Sequence, residues 1–80
     1  MKIQQAADKS DQVVAALTEE RRRQNISQYK LAQACGLSKT SIAFIERYEN
    51  KPTLRTLFMI SDVLNVDLGD IIKKVNQSKP

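Results

Sequence analysis

Residues 28–47 read Gln-Tyr-Lys-Leu-Ala-Gln-Ala-Cys-Gly-Leu-Ser-Lys-Thr-Ser-Ile-Ala-Phe-Ile-Glu-Arg. Apolar Leu31, Cys35, Leu37, Ile42 and Ile45 fall where two short helices would meet across a tight turn. Ala32 is small where the second helix has to approach closely. Gly36 sits where the chain must reverse in few residues, and glycine accepts the positive φ that such a reversal needs.

Outward from this stretch, the chain divides into further helices. Residues 1–10 are polar and carry no periodic stripe, so they are expected to form a flexible arm. A first helix is expected near 11–24, capped by Ser10 or Asp11, with Val13 or Val14, Leu17 and Arg21 facing inward and Ala16 in a tight spot. Asn25 suits a left-handed stop. Ser27 caps the second helix, 28–34, with Ile26 placed to staple onto Leu31. Ser38 caps the third, near 39–47. Pro52 disfavours helical geometry at Lys51, so 48–52 reads as a loop. Thr53 opens a fourth helix to about Leu64, with Leu54, Leu57, Ile60, Ser61 and Leu64 on one face. Asn65 is a second left-handed stop, and Asp67 caps a fifth helix, 68–75, buried through Leu68, Ile71 and Ile72. The tail, 76–80, is expected to fray. A domain spanning 11–75 follows, all-α, in a compact five-helix bundle.

Composition agrees. Eighty residues suffice for one modest core, and the scarcity of aromatics and of alternating β-branched residues argues against a sheet. The formal net charge is +4, and its placement is uneven. From Arg21 to Arg55 there are eight basic residues against two acids, Glu46 and Glu49, whereas from Thr56 to Ile72 the charged residues are Asp62, Asp67 and Asp70. A basic surface alone is ordinary. Coinciding with a helix pair of helix-turn-helix spacing, it suits a polyanion such as DNA. Histidine is absent and Cys35 is the one cysteine, so no zinc site, disulfide or cofactor is expected, and Cys35 reads as a small apolar residue. With no histidine, no phosphate-cradling glycine loop and no carboxylate cluster at ligand spacing, an enzyme is not expected. The start Met-Lys-Ile-Gln-Gln has no apolar run behind it, so neither a secretory signal nor a membrane anchor is expected, and the expected location is cytoplasmic.

Over roughly 12–73 the chain resembles the Cro and phage-repressor type of helix-turn-helix domain, a large family of bacterial and phage regulators with the lambda repressor-like fold. The resemblance is carried by Ile26-Ser27-Gln28, Leu31-Ala32, Gly36-Leu37-Ser38, Ile42, Ile45-Glu46, and Pro52-Thr53-Leu54 leading to Leu57. It implies that the helix at 39–47 lies in the major groove, with Lys39, Thr40 and Phe44 at base edges and Ser41 and Ala43 near the backbone or groove wall. Lysine can donate to guanine, and threonine can hydrogen-bond or place its methyl near that of thymine. The resemblance puts Gln28 at a phosphate, with Ser27 beside it at a helix N-terminus. Lys30, Arg47, Asn50 and Lys51 are further phosphate or groove-edge candidates. It also implies a partly buried structural ion pair between Arg21 and Glu46.

Three residues depart from the family pattern. Glu20 stands where an aliphatic residue is usual, and Tyr48 where glycine often follows the third helix, so that helix is expected to run longer or end differently. Phe44 replaces a residue that is more often polar. Two roles are open to it: touching a thymine methyl, or packing on Tyr48 one turn along. Apart from the pattern, Gly69 in the first turn of the last helix is expected to cost some stability relative to alanine.

One short helix reads too few base pairs to find a site in a genome. Domains of this type usually pair as twofold dimers on inverted repeats, with recognition helices about 34 Å apart. Met59, Val63, Val66, Ile72 and Val75 exceed what so small a bundle needs, so a homodimer through helices 4 and 5 is expected, unless these residues simply close the core. The leading expectation is a sequence-specific regulator of transcription, most often a repressor, binding double-stranded DNA. The alternative is a protein-interaction module on the same fold, an antitoxin or antirepressor, with a toxin or other regulatory protein as partner.

Overall fold

A computed structural model gives the fold and describes residues 3–77, with side chains from Lys9 onward. Among the described residues there are five helices and no strand: α1 (Ile3–Arg23), α2 (Gln28–Cys35), α3 (Lys39–Glu46), α4 (Leu54–Val63) and α5 (Leu68–Gln77). Helix α2 packs on α3 and α4, α1 packs on α3 and α5, and α4 meets α5. The core lies where these contacts converge, on Val13, Leu17, Leu31, Ala32, Ile42, Ile60, Leu64, Leu68 and Val75. Fully burying a side chain such as Leu31 or Ile42 contributes roughly 1.5–3 kcal/mol, and both are 1% exposed.

Helix starts follow their caps. Ser27, Ser38 and Thr53 are extended, and each side-chain oxygen accepts from the backbone N–H three residues on. Asp67 does the same for Asp70 at 3.1 Å. A Cβ on Gly69 would come within 2.9 Å of Asp67 Oδ1. Glycine there leaves room for the capping carboxylate, which offsets its lower helix propensity.

Helix ends share one device. Asn25, Gly36, Tyr48 and Asn65 all have left-handed φ, at 59°, 71°, 62° and 58°. At each, that residue's N–H reaches back three residues and the next N–H reaches back five, as in Leu37 N to Ala32 O at 2.8 Å and Val66 N to Ser61 O at 3.0 Å. This is the Schellman arrangement, in which the residue after the left-handed one commonly packs onto the helix. Ile26, Leu37 and Val66 do so against the core. At the end of α3 the corresponding residue is the exposed Glu49. Tyrosine in the glycine place therefore does not lengthen α3 and keeps the hydrogen bonds of the stop, but the ending differs in lacking the apolar closure. The tyrosine itself adopts the strained conformation.

Several boundaries and faces differ from the sequence expectation. Helix α1 begins at Ile3 and takes in residues 3–10 of the expected arm, while residues 1 and 2 lie outside the described residues. Ser10 and Asp11 are consequently inside α1 and cap nothing. Asp11 instead accepts from Lys51 Nζ at 2.7 Å. Helix α5 includes Asn76 and Gln77, and 78–80 of the expected tail lie outside the described residues. Leu54 is 60% exposed because it is the first residue of α4, and a helical side chain leans towards the N-terminus, here past the core. On α5, Leu68 and Val75 are buried and Ile71 packs beside them, which leaves Ile72 on the flank at 37% exposed.

Glu20 is accommodated as a polar brace. It accepts from Gln24 Nε2 at 2.8 Å and from Arg23, and Gln24 Nε2 also donates to Leu64 O at 2.7 Å. The Gln24 hydrogen bond, then that from Arg23, holds the Glu20 carboxyl below its usual pKa. Side-chain amide and backbone carbonyl thus join α1 to the end of α4, where an aliphatic residue is usual in the family and looser packing of α1 was expected.

The left-handed positions give a paired prediction. Tyr48→Gly should raise unfolding free energy by about 1 kcal/mol, whereas Gly36→Ala should lower it by about as much. Urea denaturation measures both, and a destabilised Tyr48→Gly would show that the tyrosine ring outweighs the backbone strain.

Candidate nucleic-acid interface

The site is built on a buried ion pair. Arg21, 8% exposed near the end of α1, donates from Nε to Glu46 Oε2 at 2.7 Å and from Nη2 to Glu46 Oε1 at 2.9 Å. Its third nitrogen, Nη1, donates to the Ile26 carbonyl at 2.7 Å. Gln28 Nε2, at the first residue of α2, donates to Glu46 Oε1 at 2.9 Å. One carboxylate at the end of α3 therefore gathers α1 and α2, and Arg21 itself holds the turn between them. A bidentate guanidinium fixes orientation as well as distance. Among the described residues no buried side-chain nitrogen or oxygen lacks a hydrogen-bond partner.

This network, with Ile42 and Ile45 buried, fixes which face of α3 looks outward. Lys39, Thr40, Phe44 and Arg47 are exposed, and Ser41 and Ala43 are half-buried beside them. Ser41 belongs to the cap: its N–H donates to Ser38 Oγ, and the two hydroxyls lie 3.0 Å apart. Lys39 and Lys30 form no ion pair among the described residues. Their ammonium groups are exposed at the starts of α3 and α2, the positive ends of the helix dipoles.

Other sequence-derived candidates are engaged within the protein. Gln28 is half-buried with its amide turned to Glu46, which makes it a member of the ion-pair network. Ser27 Oγ accepts from Lys30 N at 3.0 Å as a cap. The Arg47 guanidinium lies 5.1 Å over the Phe44 ring centroid and within 3.3 Å of the Glu49 carboxylate. Lys51 reaches Asp11, and Asn50 is exposed.

The five residues expected to mediate dimerisation do not form one exposed patch. Val75 belongs to the core, Val63 and Val66 pack against it, Met59 is half-buried, and Ile72 is exposed. Sequence reasoning missed Leu54 and Phe58, 60% and 50% exposed one turn apart on α4. For Phe58 the signal was there, because it lies off the buried stripe Ile60, Ser61 and Leu64, whereas Leu54 fits that stripe by spacing and is exposed by its place at the start of α4. Cys35 packs against the core, and burial raises its thiol pKa, which disfavours the reactive thiolate.

A family model described as helix-turn-helix matches residues 17–71, from the buried part of α1 to α5. The chain belongs to the Cro and phage-repressor type of helix-turn-helix family. Among relatives, the chain is 37% identical over 60 residues to the HTH-type transcriptional regulator SutR of Escherichia coli (strain K12), covering 75% of this chain and 34% of that protein. It is 36% identical over 50 residues to the control protein C.SmaI of Serratia marcescens, covering 62% of this chain and 60% of that protein. The match thus spans about a third of the first relative and three-fifths of the second. Within the family frame, α2 and α3 are the two motif helices. No described helix is long and apolar enough to cross a membrane, and no described group of His, Cys, Asp and Glu could hold a metal.

Removing one member of the ion pair should strand a buried charge. Glu46→Ala is expected to cost about 3 kcal/mol, and the double change Arg21→Met, Glu46→Leu considerably less than the two single changes together. A double-mutant cycle by urea denaturation measures the coupling, and strictly additive losses would contradict a linked pair.

Proposed function

We propose that the chain is a sequence-specific DNA-binding regulator of transcription, a repressor that binds an inverted-repeat operator as a homodimer. The observation that carries this reading is the outward face of α3. Lys39, Thr40 and Phe44 are solvent-exposed, and the other side of the same helix is locked to the core through Ile42, Ile45 and Glu46. Lys39 and Thr40, in the first turn, read base edges. Lysine donates to guanine O6 or N7, and the threonine hydroxyl and methyl suit adenine or thymine. Ser27, Lys30 and the backbone N–H groups at the start of α2 receive a phosphate. Gln28 orients that helix from below. Asn50, Lys51 and Arg47 border the groove, with Lys51 and Arg47 released from Asp11 and Glu49 as phosphates approach.

Dimerisation follows from information content, because a helix with three outward base-reading positions specifies only a few base pairs. The exposed pair Leu54 and Phe58 on α4, with Ile72 on α5, is better suited to the second copy than the valines that close the core. Occupying the operator would exclude polymerase.

Selection of bound sequences from random duplexes, followed by titration at several salt concentrations, tests this reading. A preferred site with inverted symmetry is expected. Lys39→Ala should relax preference at one position by roughly 1–3 kcal/mol, whereas Lys30→Ala should weaken all sequences alike and reduce the salt slope by about 1. Flat, wholly salt-driven binding would sink the reading. Sedimentation at tens of micromolar should give a dimer mass that Phe58→Asp abolishes. A strictly monomeric mass with and without DNA would defeat the dimer.

A further inference from the structure

We propose that Phe44 is a reader of the thymine C5-methyl group, so that each half-site prefers a thymine at the base pair that Phe44 faces. The inference rests on the DNA-binding reading above and deepens it at one residue. Phe44 is 40% exposed and lies outside the core cluster that takes in Ile42 on the same helix. Its carbonyl serves the Schellman turn by accepting from Glu49 N and Asn50 N, but its ring has no such duty. Packing on Tyr48 would be the alternative use for the ring. The left-handed φ of Tyr48 takes that residue off the helical path, and the Arg47 guanidinium lies over the Phe44 ring.

The chemistry of the groove then narrows the ligand. A phenyl ring neither donates nor accepts in the plane of a base edge. Among the groups that base pairs present in the major groove, the thymine methyl is the apolar one. Arg47 at 5.1 Å is within cation–π range. It covers part of the ring and limits its rotation, leaving the remaining surface to face outward. Thr40 lies four residues earlier, on the same side of α3, so its methyl continues the apolar strip towards the helix N-terminus. Lys39 supplies the polar contact beside that strip. A helix surface of this kind discriminates thymine from cytosine by an apolar contact, and Phe44 does so without a hydrogen bond.

The test uses the full chain and the site obtained by selection from random duplexes. Each thymine is replaced in turn by deoxyuridine, which deletes the methyl and leaves pairing and hydrogen-bonding groups unchanged. At one thymine in a half-site, affinity should fall about four-fold, the effect of one buried methyl. At that thymine alone, Phe44→Ala should bind the thymine and deoxyuridine duplexes equally, while sensitivity at any thymine touched by Thr40 persists. Circular dichroism of Phe44→Ala should match the parent, because the ring is outside the core. A preferred site whose deoxyuridine scan is flat for the parent protein overturns this inference and leaves the DNA reading standing. So does a Phe44→Ala variant that keeps the parent's full pattern of sensitivity. Selection that yields no preferred sequence overturns the DNA reading, and this inference with it.

Discussion

The buried contact between Arg21 and Glu46 is the constraint on which the rest of the domain depends. It ties the end of α1 to the end of α3 through two hydrogen bonds, and through the Ile26 carbonyl and Gln28 it reaches the start of α2. A buried ion pair of this kind is often no more stabilising than a well-packed apolar replacement, yet losing one partner alone is costly. Its consequence here is geometric. With the C-terminal end of α3 held by Glu46 and the middle by Ile42 and Ile45, the helix cannot roll, and Lys39, Thr40 and Phe44 have no structural role to perform inside. They are left to whatever α3 meets.

The same helix carries the least comfortable turn in the chain. Three of the four left-handed stops use asparagine or glycine and drop an apolar residue onto the core after the stop. The stop after α3 uses Tyr48 and is followed by the exposed Glu49. Strain and missing apolar closure therefore coincide beside Phe44 and Arg47. The ion pair holds Glu46 on the inner side, and the ring–guanidinium contact adds an outer link. In the proposed function, this places an unusual, aromatic-rich segment at the edge of the groove, next to residues that would read bases.

Much of the fold was legible in the sequence because its signals are local. Ser27, Ser38, Thr53 and Asp67 cap helices for the reason their side chains suggest, and Asn25, Gly36 and Asn65 stop them because each tolerates positive φ. What was not legible depends on distance or on context. The extension of α1 to Ile3 has no apolar stripe to announce it. Leu54 satisfies the spacing of the buried face but falls beyond the core's edge. Val75, not Ile72, closes the bundle, which periodicity could not separate because positions three, four and seven along a helix all fall near one side. Glu20, out of place as an aliphatic substitute, becomes a hydrogen-bonded brace only once Gln24 is seen to reach Leu64. Within the site, the outward face of α3 was readable from the burial period. The inward turn of Gln28 and the Lys51 link to Asp11 join residues 18 and 40 positions apart, and no local pattern encodes them.

The central claim is that the ion pair presents one face of α3 to DNA. Amide chemical-shift mapping, with the 80-residue chain titrated with its selected duplex, tests it most directly. Shifts are expected to concentrate at Lys39, Thr40, Phe44 and the start of α2 from Ser27 to Lys30, with the inner α1–α5 contact unmoved. Shifts centred on the α1–α5 face, with 39–44 unperturbed, would contradict it.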